Sequence, residues 1–294
     1  MIEDLDLTNN LCRNCNSNNI KFQYFVKQFD ILKCSVCGYY QIGTLPTNEV
    51  IEQIYVKEYF EKGKYVDDYA TKKEQKRRIK LLKTAGLRIG SKVLDFGMAS
   101  GDFCRAAKAQ FEVYGLDISK DAVEKGKIEL PDIADRLFLY DTKKLPFQDN
   151  YFDAIVLWDV IEHLKPPQLI ISQLKKKLRP GGFLLFSTPD ISSLSAKLMK
   201  NRWHFMTPPE HLGFYSVKSA KVLIGNQGLE FITSKRLGKW VNCIFLLHKF
   251  SRIFPEVLNS ESVLKLKKSF LKHICIYVPT NDILYVVCQL PNRK

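Results

Sequence analysis

Residues 92–101, KVLDFGMASG, and residues 112–118, EVYGLDI, decide the fold of this 294-residue chain. In each stretch a run of mainly apolar residues ends near an aspartate, Asp95 or Asp117. Small residues at positions 97, 99 and 101 allow a tight turn into a helix and a close approach of a ligand to the backbone. A strand, a glycine-containing turn, a helix and a second strand are typical of a parallel βαβ unit.

Strands and helices continue to alternate toward the C-terminus. Further strand-like segments are RLFLYD, FDAIVLWDV, GGFLLFSTP, LEFITSKRLG and DILYVVCQL. Helical segments are GDFCRAAKAQF, DAVEKGKIEL, PPQLIISQLKKKL and SVKSAKVLIGNQG. This alternation predicts an α/β fold over residues 88–294, a Rossmann-like, doubly wound sheet of seven strands with helices on both faces.

Two Cys-x-x-Cys pairs stand near the N-terminus, Cys12 with Cys15 and Cys34 with Cys37. Residues 16–33 separate the pairs, a spacing expected for tetrahedral zinc, and Gly38 suits the tight turn after the second pair. Four thiolates leave no open coordination position, so the predicted Zn²⁺ is structural. We predict a small zinc ribbon over residues 1–45 and a helical connector over residues 46–87.

Composition is that of a globular protein, with 46% hydrophobic and 26% charged residues. No apolar run is long enough for a transmembrane segment, and the acidic N-terminal stretch MIEDLDLTNN is unlike a secretory signal, so we expect a cytoplasmic protein. The net charge of +14 favours an anionic partner, although the lysines are spread along the chain as solvated residues would be. The apolar stretch 240–254 is compatible with peripheral membrane contact, a covering helix or a dimer interface, and the oligomeric state stays open.

Carboxylates recur at the predicted carboxyl ends of successive strands, the edge where open α/β sheets bind ligands. Asp95 is placed to meet an ammonium group and would be poorly placed beside a pyrophosphate, which favours S-adenosylmethionine over a dinucleotide. Asp117 can accept hydrogen bonds from ribose hydroxyls, and Ile118 can pack on an adenine face. Asp141 follows the third strand, where its carboxylate can reach the adenine amino group.

The segments VLDFGMASG, YGLDIS, DTKKLPFQDNYFDAIVLWDVIEHL and LRPGGFLLFSTP resemble, in order and spacing, the motifs of class I S-adenosylmethionine-dependent methyltransferases. RWHFMTPPEHLGFYS is similar to a subgroup that includes quinone, sugar and cell-surface glycan methyltransferases, whose members often carry a Cys-x-x-Cys ribbon in front. The resemblance implies S-adenosylmethionine as cofactor, with Trp158 beside the donor sulfur. The implied cofactor-binding residues are Asp95, Gly97, Ala99, Gly101, Asp117, Ile118, Asp141 and Trp158. Ala99 replaces the family's usual glycine and adds one methyl group to the loop.

Methyl transfer to a hydroxyl needs alignment and a base. Glu162, His163 and His211 are the candidate catalytic residues, with His163 the best general base because a neutral imidazole accepts a proton near pH 7. A structural role for the Glu162–His163 pair is the competing interpretation. Four aromatic residues after the fifth strand are compatible with a lid over a sugar or quinone ring or, for at least half of them, with packing of helices against the sheet: Trp203, Phe205, Phe214 and Tyr215.

The resemblance implies O-methylation of a small-molecule or carbohydrate acceptor, including sugar-nucleotide or lipid-linked substrates of cell-surface glycan synthesis. The chain has WDVIEH where amino-directed nucleic-acid methyltransferases carry [DN]PP[YFW], and no nucleophilic cysteine follows that strand or the next. Two alternatives stay open. A zinc-ribbon rRNA or tRNA methyltransferase would bind RNA in a salt-dependent manner, and a non-catalytic methyltransferase-like scaffold would bind no cofactor.

Overall fold

The computed structural model of the chain describes residues 11–47, 68–242 and 274–292. The strands are β1 (Ile20–Val26), β2 (Phe29–Cys34), β3 (Tyr40–Ile42), β4 (Lys92–Phe96), β5 (Glu112–Asp117), β6 (Leu137–Leu139), β7 (Phe152–Trp158), β8 (Leu178–Pro189), β9 (Gly213–Phe214), β10 (Glu230–Asn242) and β11 (Cys275–Gln289). The helices are α1 (Asp68–Ala85), α2 (Asp102–Ala107), α3 (Lys120–Glu129), α4 (Pro167–Lys177), α5 (Leu194–Met199) and α6 (Val217–Asn226). Most of the predicted connector, residues 48–67, and most of the apolar stretch, residues 243–254, lie outside the described ranges.

The predicted seven-stranded α/β sheet is confirmed, in the order β10-β11-β8-β7-β4-β5-β6. Four neighbouring pairs from β8 to β6 are parallel, and β11 runs antiparallel to both β8 and β10. The chain starts the sheet at β4, adds β5 and β6 on one side, and then returns to place β7 on the other. The reversal creates a crevice at the carboxyl ends of β4 and β7, the usual ligand position in such sheets.

The central strands have their apolar residues buried on both faces, as expected for a parallel sheet covered by helices. Val93 and Leu94 of β4 are fully buried, as are Ile155 and Val156 of β7. Consecutive residues of a strand point to opposite faces, so a helix layer must cover each side. This double burial fixes the positions of the loops that leave the carboxyl edge.

The N-terminal cysteine unit forms a second sheet, whose order is β1-β2-β3-β9. Its fourth strand, β9, comes from the large domain, where it pairs antiparallel with β3 through Tyr40 with Phe214 and Gln41 with Gly213. Tyr39 packs against this strand and is 1% exposed. A Cβ atom built on Gly213 would lie 1.6 Å from the Tyr39 hydroxyl oxygen, so the two parts meet only because position 213 has no side chain.

Among the described residues, no helix combines the length and the apolar character that crossing a bilayer requires.

Gly213→Ala should lower the free energy of unfolding by about 1–3 kcal/mol, because overpacking a buried contact forces neighbouring groups to shift. Gly225→Ala is the matched control, since a Cβ built on Gly225 meets no atom within 4 Å. Urea unfolding of both variants measures the difference. Equal stability of the two variants would contradict close packing of Tyr39 on β9.

Candidate active site and candidate metal centre

The turn after β4 carries the predicted cofactor loop. Gly97, Ala99 and Gly101 all have positive φ angles, of 81°, 46° and 75°. A Cβ atom built on Gly97 would lie 2.6 Å from Val160 Cγ2, so the loop contacts the segment that follows β7. Ala99 adopts a left-handed conformation that costs an L-residue about 1–2 kcal/mol and costs glycine almost nothing.

Asp117 braces this loop from the end of β5. Its Oδ2 accepts a hydrogen bond from the Ala99 backbone N–H at 2.8 Å, and its Oδ1 accepts one from the Ser119 N–H at 2.8 Å. Burial raises the pKa of Asp117 above its ordinary value, and these backbone donors oppose the rise. Each carboxylate oxygen accepts more than one hydrogen bond, so the brace leaves acceptor capacity for a ribose.

The two residues predicted at the adenine lie beside Asp117. Ile118 is 44% exposed, which leaves an apolar surface at the carboxyl edge of the sheet. The Tyr140 N–H donates to the Asp117 carbonyl oxygen at 2.8 Å, which places Asp141 next to this corner. Backbone N–H groups of Lys143 and Lys144 donate to Asp141 and hold the pKa of its carboxyl below the usual value.

Asp95 is buried at the end of β4, with 2% of its surface exposed. Burial raises its pKa to about 7, against the opposing attraction of Arg78. The Cys104 thiol donates to Asp95 Oδ2 at 3.6 Å. Because burial and the neighbouring charges leave its pKa near neutrality, Asp95 can change its protonation state when a cation binds nearby.

Arg78 of α1 was not predicted as a site residue. Its Nη2 donates to Asp159 Oδ2 at 2.6 Å, and its guanidinium lies 5.1 Å from the centre of the Trp158 ring. Trp158 is only 6% exposed and also contacts Phe103, so its predicted place beside the donor sulfur stays a prediction. No sequence signal could have found Arg78, because it lies in the run KKEQKRRIK among similar cations.

Asp159 follows Trp158 and has a φ angle of 58°. Its Oδ1 accepts a hydrogen bond from the Ser187 hydroxyl at 2.9 Å, opposite the ion pair with Arg78. Burial works to raise the pKa of Asp159, but the charges of Arg78 and Lys239 and the Ser187 hydrogen bond bring it below the ordinary value. Asp159 is therefore ionised and forms an ion pair with Arg78.

The three predicted catalytic residues meet in one cluster. One ligand atom each from Glu162, His163 and His211 lies within 4.8 Å of the other two, and the imidazole centroids are 4.9 Å apart. Glu162 is 2% exposed, and burial raises its pKa to about 8. The two histidines are partly exposed. In this cluster the Glu162 carboxyl group is therefore buried, and the two imidazoles lie nearer the surface.

The histidine rings are fixed by backbone carbonyls. His163 Nδ1 lies 2.7 Å from the Glu210 carbonyl oxygen, and His211 Nδ1 lies 2.8 Å from that of Phe205. A carbonyl oxygen only accepts hydrogen bonds, so each Nδ1 carries a proton. In the neutral imidazole the lone pair is then on Nε2.

The predicted aromatic lid is wrong for three of its four residues. Trp203, Phe214 and Tyr215 are each at most 1% exposed, because the N-terminal sheet covers this segment. Tyr215 packs on Tyr39 at a centroid distance of 4.8 Å. Phe205 is partly exposed and has Lys239 Nζ 4.0 Å above its ring.

The four N-terminal cysteines converge. Their sulfur atoms lie within 4.8 Å of one another, with Cys12 and Cys37 3.5 Å apart and Cys15 and Cys34 3.7 Å apart. Tetrahedral zinc with Zn–S bonds of about 2.3 Å would hold its sulfurs roughly 3.8 Å apart, so the spacing fits this ion. The hydrogen bond from Cys12 lowers the pKa of Cys37 to about 5, which favours a thiolate.

The two Cys-x-x-Cys turns have matching geometry. The residue after the second cysteine of each pair, Asn16 or Gly38, has a positive φ angle, of 59° or 76°. Its N–H donates to the carbonyl oxygen of the first cysteine of the pair, at 2.8 Å for Cys12 and 3.0 Å for Cys34. The expected turn at Gly38 therefore has a counterpart at Asn16 that the sequence analysis did not identify.

The remaining described thiols lie outside this cluster. Cys104 and Cys288 are fully buried, and Cys275 is partly buried. Cys243 lies outside the described residues.

Comparison with known proteins agrees with this geometry. Residues 67–234 match the family model for a methyltransferase domain. The ubiquinone/menaquinone biosynthesis C-methyltransferases UbiE of Burkholderia mallei and Burkholderia multivorans are each 32% identical over 104 residues, 33% of this chain and 43% of theirs. The chain thus spans about two fifths of the length of these relatives.

Solved structures share the fold at low sequence identity. A chain from a complex of the Haloferax volcanii Trm112 methyltransferase activator with a protein assigned as a methyltransferase has a TM-score of 0.57, with 17% identity, covering 83% of this chain and 99% of that one. A protein of Bacillus halodurans assigned as a methyltransferase has a TM-score of 0.52, with 14% identity over 72% and 98% of the two chains. The chain belongs to the methyltransferase-domain family and has the Rossmann-like fold of S-adenosylmethionine-dependent methyltransferases.

Proposed function

We propose that this protein transfers a methyl group from S-adenosylmethionine to a hydroxyl oxygen of a small-molecule or carbohydrate acceptor. The observation that carries the proposal is the contact between Gly97 and Val160, which joins the cofactor loop to the turn bearing Glu162 and His163. A donor on the loop and an acceptor at the cluster would then be neighbours. Sugar-nucleotide and lipid-linked molecules fall within the proposed acceptor class.

S-adenosylmethionine supplies an electrophilic methyl group on a sulfonium. The loop and the buried Asp95 suit the methionine end of this cofactor. Positions 97, 99 and 101 carry at most a methyl group, and the Asp95 carboxyl group lies near the end of β4. Asp117, Ile118 and Asp141 offer acceptors and an apolar surface for the ribose and adenine. The proposed cofactor-binding residues are Asp95, Gly97, Ala99, Gly101, Asp117, Ile118, Asp141 and Trp158.

At the acceptor end, His163, His211 and Glu162 are the proposed catalytic residues. The proton of the acceptor hydroxyl passes to His163 Nε2, because Nδ1 is held by the Glu210 carbonyl. The oxygen forms its bond to the methyl carbon as the carbon–sulfur bond breaks, giving a methyl ether and a neutral thioether. The Glu210 carbonyl holds the ring of His163, and His211 and the buried Glu162 would border the acceptor beside it.

We propose that Cys12, Cys15, Cys34 and Cys37 hold one structural Zn²⁺. Three of the sulfurs are fully buried, and Asn14 Nδ2 donates to Cys37 Sγ at 3.5 Å, as expected around an anionic thiolate. The ion would stabilise the unit that pairs with β9. Its contribution to the reaction is therefore indirect.

The RNA-methyltransferase alternative gains no support from Arg13 of the ribbon. Arg13 is 8% exposed and donates both to the Ile42 carbonyl and, through its backbone N–H, to Gln41. It is thus a structural residue and not a contact for phosphate. The curated relatives are named as C-methyltransferases of quinone synthesis, but the match covers only 33% of this chain, so their acceptor is not transferred here.

Asp117→Ala should weaken S-adenosylmethionine binding at least about 10-fold, because hydrogen bonds to a charged group contribute about 1.5–3 kcal/mol each. Asp121→Ala, an exposed acidic residue in the first turn of α3, is the matched control. Calorimetric titration with S-adenosylmethionine and S-adenosylhomocysteine measures both. If the folded wild type bound neither compound, the methyltransferase proposal would be contradicted and the non-catalytic scaffold favoured.

S-adenosylmethionine should bind more tightly as the pH rises from 6 to 8. The pKa of Asp95 in the free protein is about 7, so below pH 7 the group is protonated and must release a proton to face a cation. The charged or titratable groups acting on it are Arg78, Cys104, Asp117 and Asp102. Titration in buffers of different ionisation enthalpy measures the released proton. A proton release that persists unchanged in Asp95→Asn would refute this assignment.

Replacing both Cys34 and Cys37 by serine should remove the zinc and reduce methyl transfer more than S-adenosylmethionine binding. The reason is that the ribbon pairs through β3 with β9, next to His211, whereas residues 97–101 follow β4 of the seven-stranded sheet. Cys275→Ser is the control cysteine outside the cluster. Elemental analysis and calorimetry measure the two effects. If cofactor affinity fell as much as turnover, the ribbon would not act mainly at the acceptor end.

A further inference from the structure

We propose that Glu162, His163 and His211 bind a divalent transition-metal ion at the acceptor end of the site. One ligand atom from each residue lies within 4.8 Å of the other two. An ion about 2.0–2.2 Å from imidazole and carboxylate ligands needs those atoms roughly 3–3.5 Å apart, so small side-chain rotations complete the geometry. The ligands come from the short 3-10 turn Ile161–His163 and from the residue two before β9.

The histidine tautomers suit metal binding. Both Nδ1 atoms lie within 2.8 Å of backbone carbonyl oxygens, those of Glu210 and Phe205. Metal-ligating histidines in proteins donate their other ring N–H to such a group, which fixes the ring and puts the lone pair of Nε2 toward the ion. Two histidines from separate segments share this arrangement.

The carboxyl group provides an independent observation. Glu162 is 2% exposed, and its Oε2 has no hydrogen-bond partner among the described residues. An unsatisfied buried oxygen costs about 1–3 kcal/mol, and more if it is charged. Asp159, three residues earlier, pairs with Arg78, and its charge also acts on Glu162, as does that of Lys239. A bound cation would supply a partner for the Oε2 atom.

The donor set selects the class of metal. Two imidazole nitrogens and one carboxylate favour Zn²⁺, Fe²⁺, Mn²⁺ or Co²⁺ and leave coordination positions open. His163 and His211 are partly exposed, so solvent or an acceptor can reach the cluster. The cysteine cluster differs, because its four thiolates would fill every position of a structural ion.

A consequence follows if the proposed methyl transfer is right, and this part rests on that function. An ion held there would supply Lewis-acid chemistry that lowers the pKa of an acceptor hydroxyl, whose proton would leave to water; His163 would then be a ligand in place of the general base proposed above. The acceptor oxygen would still form its bond to the methyl carbon as the carbon–sulfur bond breaks, with the electron pair staying on sulfur. The metal keeps its oxidation state throughout.

The test is metal counting on the full chain after chelator treatment and reloading with Co²⁺. The wild type should bind two ions per chain, and Glu162→Gln and His211→Ala should each bind one. His204→Ala is the matched control and should keep two, because His204 is a neighbouring histidine outside the cluster. Glu162→Gln preserves the side-chain shape, so its result does not depend on a change in packing.

Absorption spectra identify which ion is lost. Co²⁺ on thiolates gives strong charge-transfer absorption, which should persist in Glu162→Gln and vanish when Cys34 and Cys37 are both serine. The cysteine variant should keep one Co²⁺ with only weak absorption. A wild type that binds a single, thiolate-bound ion would overturn the proposal. Titration of the same sample with S-adenosylmethionine tests the proposed function separately. If the wild type binds the cofactor but only one, thiolate-bound ion, the methyltransferase proposal stands and the second metal site is refuted.

Discussion

The backbone pairing of β3 with β9 is the constraint on which the arrangement of the site depends. The Ile42 N–H donates to the Leu212 carbonyl at 3.1 Å, and the Leu212 N–H donates to the Glu162 carbonyl at 2.9 Å. Leu212 thus connects the N-terminal sheet to the turn after β7. Because His211 precedes Leu212, the same two hydrogen bonds hold it against Glu162 and His163.

Side-chain contacts strengthen this junction from both sides. Asn14 Nδ2 donates to the Ser219 carbonyl at 3.0 Å, and Lys165 Nζ donates to the Pro46 carbonyl at 3.1 Å. The Tyr39 ring occupies the space that a side chain at Gly213 would need. The N-terminal sheet is thereby joined to the large domain beside Glu162 and His211, and we expect an ion bound by its cysteines to affect the acceptor end more than the cofactor end.

The opposite side of the crevice is organised by Arg78 of α1. It pairs with Asp159, covers Trp158 and stabilises negative charge near Asp95. Three carboxyl groups at one sheet edge thereby have different protonation behaviour: Asp159 is ionised by its partner, whereas burial keeps the pKa of Asp95 near 7 and that of Glu162 near 8. Such separation of pKa values within one crevice is typical of functional sites.

The sequence by itself determined the seven-stranded sheet and the clustering of the four cysteines. Both follow from local signals: alternating strand and helix patterns specify parallel βα units, and the Cys-x-x-Cys turns aim neighbouring thiols at one point. Asp95, Asp117 and Asp141 were also predictable as a group, because parallel strands end at the same edge.

Only the tertiary structure decided the rest. His211 is 48 residues after His163, and no periodicity links them; the β3–β9 pairing brings them together. The same pairing buries Trp203, Phe214 and Tyr215, which the sequence presented as a lid. Arg78 became distinct from its neighbouring cations only when α1 packed over Trp158. Long-range backbone pairing and burial depend on which surfaces meet, and a one-dimensional pattern does not encode that contact.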